Sequence, residues 1–482
     1  MSCPQATGTS GKDASSHGHT QRLHWRVAGA IKLLISVFGC DANPYCPVHR
    51  NGSKRYMNTH PTRIVVLGGG FAGAYCVKQL EKSLRGVDVE ITLVNEQNYF
   101  VFTPMLVEAA TSALEARHVV VPLRGFLRTS RFVMARISSI DIAGKTVTTQ
   151  PEFGSHVVLP FDHLVMSLGS VTSMPDVPGV HEFAFGLKTL ADATVLRDRA
   201  IGMLEMANLA PDHAHRQSWL TFAIVGAGYT GVEAAGEFNA FLKEAIRNYP
   251  NVRETDIRVM LLQRSGRILD ALDEAMSEKA SKVLRRDGVD IRLNESVAEI
   301  SETSFMLKSG EKVNSHTVIW SAGVAPPALL RDSGLPTNPH GYLQCDRDLR
   351  VQGHDNVWGV GDCASNPDGD GNPYPPTAQH ALREGRQAAT NLAAVLQGAP
   401  TKPLDYHNKG TMAPLGGRQA IANVFGMHLT GLIAWMLWRG VYLGIMPGWG
   451  RKIRVAMDWT TDLFFRRDYA QQHAAPRCES DP

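Results

Sequence analysis

The sequence predicts an α/β protein with two repeated strand–helix–strand units and a separate helical region at its C-terminus. Three observations carry that reading. A short β-branched run, 63–67, leads through a glycine cluster into a helical stretch at about 72–83 and a second strand at 90–94. The same order recurs at 220–225, 231–245 and 257–262. Near the end, 430–446 is almost wholly apolar, and a second amphipathic segment follows it. At 482 residues the chain exceeds what one hydrophobic core serves, so two or three domains are expected.

The first glycine cluster reads Gly68-Gly69-Gly70-Phe71-Ala72-Gly73. In this Gly-x-Gly-x-x-Gly spacing Gly68 makes the tight turn. Gly70 leaves room for a pyrophosphate at the backbone, and Gly73 lets helix and strand pack closely. The helix that starts there offers free N–H groups to the anion. Glu96, just past the next strand, is a candidate acceptor for ribose hydroxyls, and Asn95 is its rival.

The second cluster reads Gly226-Ala227-Gly228-Tyr229-Thr230-Gly231, followed by Val232-Glu233. One such turn is a weak signal. Two in strand-to-helix context make a strong one, for two Rossmann-like dinucleotide-binding domains. Gln263 ends the next strand and Arg264 follows. A carboxylate there would favour a free 2′-hydroxyl, whereas an amide with a cation tolerates a 2′-phosphate. NADH and NADPH are therefore both candidate ligands; the plain alternative is that Arg264 only faces solvent.

A third element, Val357-Trp358-Gly359-Val360-Gly361-Asp362, is a short apolar strand that ends in Gly-Asp. Asp362 is placed to accept from a sugar or ribityl hydroxyl, or to cap the helix that begins near Thr377. That helix would aim its positive end at a flavin carbonyl. The segment 366–376 is rich in Asn, Asp, Gly and Pro and reads as a loop.

These three elements, in this order, resemble flavoproteins with two dinucleotide-binding domains, over about Arg63 to Asp468. Within that superfamily the chain is most similar to the type II NADH:quinone oxidoreductases. The matching segments are Asn98-Tyr99-Phe100-Val101-Phe102-Thr103-Pro104-Met105-Leu106, Trp320-Ser321-Ala322-Gly323-Val324 and Pro375-Pro376-Thr377-Ala378-Gln379-His380-Ala381. The resemblance implies an FAD-binding domain split between 61–185 and 336–402, an inserted NAD(P)H-binding domain at 186–335, and a membrane-surface or dimerisation region at 403–482. Motif and resemblance together place FAD on Gly68, Gly70, Phe71, Ala72, Gly73, Asn95, Glu96, Pro104, Gly169, Gly361, Asp362, Ala378, Gln379 and His380. They place NAD(P)H on Gly226, Gly228, Tyr229, Thr230, Gly231, Glu233, Gln263, Arg264, Ala322 and Gly323. The resemblance implies hydride transfer to the flavin N5 and electron transfer to a quinone near Gln379 and His380, without proton pumping. Glu233, Gln379 and His380 are the implied catalytic residues; a structural carboxylate and a helix cap are the plainer readings. A soluble FAD-dependent reductase of a small redox protein is the alternative function.

One departure bears on the quinone pocket. The family usually shows two amide or acidic residues after Ala-Gln-x-Ala-x, and this chain has Arg383 and Glu384, which predicts a pocket of different charge. The seven cysteines are scattered, with no CxxC pair and no metal-ligand spacing, so neither a disulfide reductase nor a metal site is expected. A net charge of +3 makes no case for nucleic acid.

The apolar run at 430–446 is shorter than the roughly 20 residues a spanning helix needs. Arg439 lies inside it, at an insertion cost of roughly 2.5–3.5 kcal/mol. After Pro447, Ile453, Ala456, Met457, Thr460, Leu463 and Phe464 share one helical face, with Arg451, Lys452 and Arg454 on its flank. Trp435, Trp438, Trp449 and Trp459 fall in the same region. The pattern predicts an interfacial helix pair at the cytoplasmic face of the cell membrane, or packing against the enzyme or a second copy in a homodimer. The first sixty residues read as a disordered or non-native extension, with a short apolar run at 28–40 and Met57 as an alternative start.

Overall fold

The computed structural model describes residues 60–406, 410–424 and 426–472; the expectations for the N-terminal extension, its apolar run and Met57 lie outside them. Strand β1 (Thr62–Leu67) runs into helix α1 (Phe71–Ser83) and strand β2 (Val89–Asn95). Helix α2 (Leu106–Ala110) and strands β3 (Arg131–Met134) and β4 (His163–Met166) follow. The chain then builds a second sheet from β5 (Ala184–Gly186), β6 (Thr221–Val225), β7 (Arg258–Gln263), β8 (Asp290–Leu293) and β9 (Thr317–Trp320). Helices α3 (Leu190–Leu209) and α4 (Tyr229–Ala245) belong to this part. Strand β10 (Val357–Gly359) and helix α5 (Ala378–Leu396) return to the first sheet.

Both sheets have five strands, in the orders β10-β4-β1-β2-β3 and β5-β9-β6-β7-β8. Every neighbouring pair is parallel. In each, the strand that carries the glycine turn is central, and the strand order reverses beside it. Such a switch point opens a crevice at the C-terminal strand ends. Parallel strands covered on both faces need continuous apolar runs. Ile64–Leu67 and Phe222–Val225 supply them, and all are buried.

Helices α1 and α5 cover one face of the first sheet through Val77, Leu80, Ala388 and Leu392. They approach so closely that a Cβ on Gly385 would collide with the Ala72 carbonyl. Helix α3 is started by a capping box: Thr189 Oγ1 accepts from Asp192 N at 3.1 Å, and Asp192 Oδ2 accepts from Thr189 N at 2.9 Å. Such a cap contributes about 1 kcal/mol.

The C-terminal region begins with an antiparallel meander, β11 (Gly410–Gly416), β12 (Gln419–Val424) and β13 (Met427–Gly431). Helices α6 (Leu432–Ile445) and α7 (Trp449–Phe464) follow. Their buried faces carry Trp435, Trp438, Val455 and Trp459, so three of the four tryptophans expected at an interface pack inward. Only Trp449 is exposed, at 74%. Arg439 also faces the protein, stacked 3.8 Å from the Trp435 ring and 3.3 Å from Glu108. The insertion cost attached to its charge therefore does not arise, because the run is one-sided. The outward faces are apolar: Ile433, Met436 and Ile445 on α6, and Ile453, Met457 and Phe464 on α7. Among the described residues no helix is long and apolar enough to cross a membrane.

Candidate active site

The two glycine turns are built alike. Gly68 and Gly226 adopt φ of +95° and +100°, which an L side chain resists. A Cβ on Gly73 would strike the Gly68 carbonyl, and one on Gly231 would strike that of Gly226. Ser167 Oγ donates to the carbonyls of Leu67 and Gly68 at 2.7 and 2.9 Å. Ser321 Oγ donates to those of Val225 and Gly226, both at 3.0 Å. These two serines escaped the motif reading. Their signal is a repeated pattern after an apolar strand, Ser167-Leu168-Gly169 and Ser321-Ala322-Gly323.

A cleft of about 480 Å³ receives both turns. Gly70, Phe71 and Ala72 line it from the first, and Thr230 and Glu233 from the second. Asn95, Gly169, Gly323, Gly361, Asp362 and Ala378 complete the expected set within it. The lining fits a dinucleotide on three counts. The helices α1 and α4 begin at Gly70 and Gly228 with no side-chain cap, so their first N–H groups remain free for an anion. No atom lies within 4 Å of where a Cβ on either glycine would stand. Finally, Glu233 Oε1 is buried with no hydrogen-bond partner, a polar atom left for something in the cleft.

Other expected residues stand outside the cleft lining. Glu96 is exposed, with Arg136 at 3.8 Å, whereas its rival Asn95 lines the cleft and accepts from Gly69 N at 2.7 Å. The physical reason is the end of β2 at Asn95, beyond which the chain turns outward. Gln263 is held by Ala227 N at 3.0 Å and by Ser265 Oγ at 2.6 Å. Arg264 is exposed, and Tyr229 is half-buried. Pro104 sits at the start of a single 3₁₀ turn, Thr103–Met105. Ala322 O accepts from Trp320 Nε1 at 3.1 Å.

Gln379 and His380 also lie outside the lining. Gln379 Oε1 accepts from Tyr406 OH at 3.2 Å. His380 is buried between Tyr374 and Tyr406, with Nδ1 2.7 Å from Thr377 Oγ1, and burial lowers its pKa. Helix α5 meets the cleft through Ala378 and Ala381 instead.

Arg383 and Glu384, the departure noted in the sequence, take different positions on α5. Glu384 is buried and accepts from Gly361 N at 2.6 Å and Asn366 Nδ2 at 2.9 Å, so it braces the Gly-Asp turn from behind. Arg383 stacks on Tyr406 at 3.9 Å and donates to Gln379 O at 2.6 Å. Neither lines the cleft. Counting along the motif could not distinguish which helical face each residue occupies.

Two cleft residues carried no sequence signal. Lys188 Nζ donates to Ser170 Oγ, which donates to Asp362 Oδ2 at 2.9 Å. Burial lowers the Lys188 pKa, and Asp362 offsets part of that fall. The described cysteines, Cys76, Cys345 and Cys363, are all free and buried. Burial raises their thiols, those of Cys76 and Cys363 to about 12, so none offers a thiolate.

Two duplicated cradles that open into one cleft define a pyridine-nucleotide oxidoreductase of the two-domain kind. Residues 62–385 match the family described as pyridine nucleotide-disulphide oxidoreductase, and residues 408–468 match the NDH2 C-terminal domain. A probable NADH dehydrogenase of Dictyostelium discoideum is 31% identical over 415 residues, covering 84% of this chain and 90% of the relative. The type II NADH:quinone oxidoreductase Ndh of Mycobacterium tuberculosis is 30% identical over 420 residues, covering 84% and 89%. The fold also matches the structure of NDH2 from Plasmodium falciparum in complex with NADH, with a TM-score of 0.79 at 20% identity, over 85% of this chain and 99% of that one. The chain belongs to the type II NADH:quinone oxidoreductase family.

Proposed function

We propose that this chain is a non-proton-pumping NADH:quinone oxidoreductase that works through bound FAD. One observation carries the reading: Gly70–Ala72 of the first cradle and Thr230 and Glu233 of the second line the same cleft. FAD held by the first cradle would supply the redox chemistry between NADH and quinone. The chain's own residues bind and orient. The α1 and α4 N-termini hold the two pyrophosphates. Asp362, oriented by Ser170 and Lys188, would accept from the flavin's ribityl chain. Gly361, beside it, is held in turn by Glu384. Positioning of this kind is worth several kcal/mol of barrier.

Glu233 is the candidate proton donor. Burial, with Glu108 and Glu237 nearby, raises its carboxyl well above the usual range, which favours the protonated form a donor needs. Gln379 and His380 hold the start of α5, and thereby Ala378, against the cleft. The proposed domain division is 61–185, 186–335, 336–402 and 403–482, and the two five-stranded sheets and the C-terminal meander support its outline. NADH is the proposed donor, with NADPH as the alternative.

The exposed apolar faces of α6 and α7 dock on a membrane surface, which gives access to a lipid-soluble quinone. A soluble reductase of a small redox protein would have no use for them. The NADH pool places the enzyme on the cytoplasmic face, and a homodimer is the proposed assembly. The test is spectral. Purified protein carries a flavin spectrum, NADH bleaches it without air, and a short-chain quinone restores it. Flavin that NADH cannot bleach would refute the reading.

A further inference from the structure

Reduction of a quinone to a quinol takes up two electrons and two protons. NADH supplies two electrons and one proton as hydride, so one proton must come from water. The proposed donor, Glu233, is buried and needs resupply. Beside it on α2 lies Glu108, only 3% exposed. Glu108 Oε1 is 3.3 Å from Arg439 Nη2, and its Oε2 accepts from Trp459 Nε1 at 3.0 Å.

A second cavity, of about 160 Å³, is lined by Glu108 and shares no lining residue with the cleft. Glu237, Glu244, Asp462 and Arg418 line it, and Arg418 is exposed at its mouth. It is polar and large enough for several waters. We propose that Glu108 relays protons from water in this cavity to Glu233, and so completes the path from solvent to the quinone.

Each transfer balances. Glu233 gives its proton to a quinone oxygen and becomes a carboxylate. The Glu108 O–H bond then breaks, directly or through one water, and the proton reprotonates Glu233. Cavity water restores Glu108. The surrounding charges suit this role. Arg467 neutralises Glu237 and Asp462, at 3.4 and 3.3 Å. Arg439 faces Glu108 from α6 and stands 3.9 Å from Asp462. Glu237 on α4 opposes the ionisation of Glu108, and Glu108 and Glu237 together raise the Glu233 carboxyl. Burial pushes the Glu108 carboxyl up to about 7, where it both takes and releases a proton near neutrality.

The relay rests on the quinone reading, and Glu108→Gln in the flavin-loaded enzyme separates the two. Bleaching by NADH should stay within about twofold of wild type, while recovery of the flavin spectrum by quinone should slow about a hundredfold. The variant should lose the inflection near pH 7 in that recovery. Added formate, a small mobile acid, should restore part of the rate. Infrared titration of buried carboxyl groups should lose a component with a midpoint near 7 in the variant. If Glu108→Gln does not fold, Glu108→Gln with Arg439→Leu removes both charges and avoids a lone buried cation. Wild-type recovery in either variant, or equal loss in both half-reactions, overturns the relay. A wild-type flavin that quinone cannot reoxidise overturns the quinone reading and the relay with it.

Discussion

The side-chain carbonyl of Gln263 accepts the backbone N–H of Ala227 at 3.0 Å. Asn95 does the same for Gly69 at 2.7 Å. At the end of its second strand each cradle thus carries an amide that holds its own glycine turn. Such an amide satisfies a backbone donor that would otherwise be stranded as the ligand displaces water. The residue read as a selector of the 2′ substituent is therefore also part of the turn.

Gln263→Glu keeps an acceptor for Ala227 and adds charge. It should raise the ratio of kcat/KM for NADH over NADPH by about tenfold, or about 1.4 kcal/mol. An unchanged ratio in steady-state assays would show that the 2′ position is read elsewhere.

Gly73→Ala and Gly231→Ala each force a Cβ against the carbonyl that opens their turn. Each should cost about 1–3 kcal/mol of stability. Their functional effects should divide. Gly73→Ala should lower the flavin-to-protein absorbance ratio, whereas Gly231→Ala should keep flavin and raise KM for NADH. Full flavin content in Gly73→Ala would remove the first cradle from the FAD site.

Burial raises the Glu384 carboxyl to about 7, offset in part by Gly361 N–H and Asn366. Below its unfolded value near 4.5 the group is protonated in both states, and its contribution to stability is complete. Between there and about 7 the unfolded chain ionises while the folded one does not, so stability falls as pH rises. The loss is on the order of 3 kcal/mol. Glu384→Gln should gain on wild type in Tm from pH 5 to pH 8, and parallel curves would contradict the shift.

Ile433, Met436, Met457 and Phe464 are all more than half exposed on α6 and α7. Burying such a side chain is worth about 1.5–3 kcal/mol. Ile433→Glu with Phe464→Glu should weaken sedimentation with lipid vesicles at least about a hundredfold. Turnover with a soluble short-chain quinone should not change. Undiminished vesicle binding would assign those faces to a second copy of the chain.

The buried thiols Cys76 and Cys363, raised to about 12, should escape alkylation at neutral pH in the folded enzyme. Peptide mapping by mass spectrometry checks this, and rapid labelling of either would contradict their burial.

Sequence alone determined the two glycine turns, the strands and helices around them, and the Gly-Asp element. Each lies within a few consecutive residues, where backbone sterics and hydrophobic period act locally. The β11–β13 meander was not legible, because its short strands have no strong alternation and depend on packing against α4 and α6. Likewise Arg383 and Glu384 could be counted along a motif, but not assigned to a face.

Tertiary structure decided what meets across the chain. Arg439 and Glu108 are 331 residues apart, yet they share one buried ion pair. Lys188 and Asp362 face the same cleft with no common motif. Contacts of that separation come from how whole layers pack. No short window of sequence contains the partner that sets a group's charge, orientation or proton affinity.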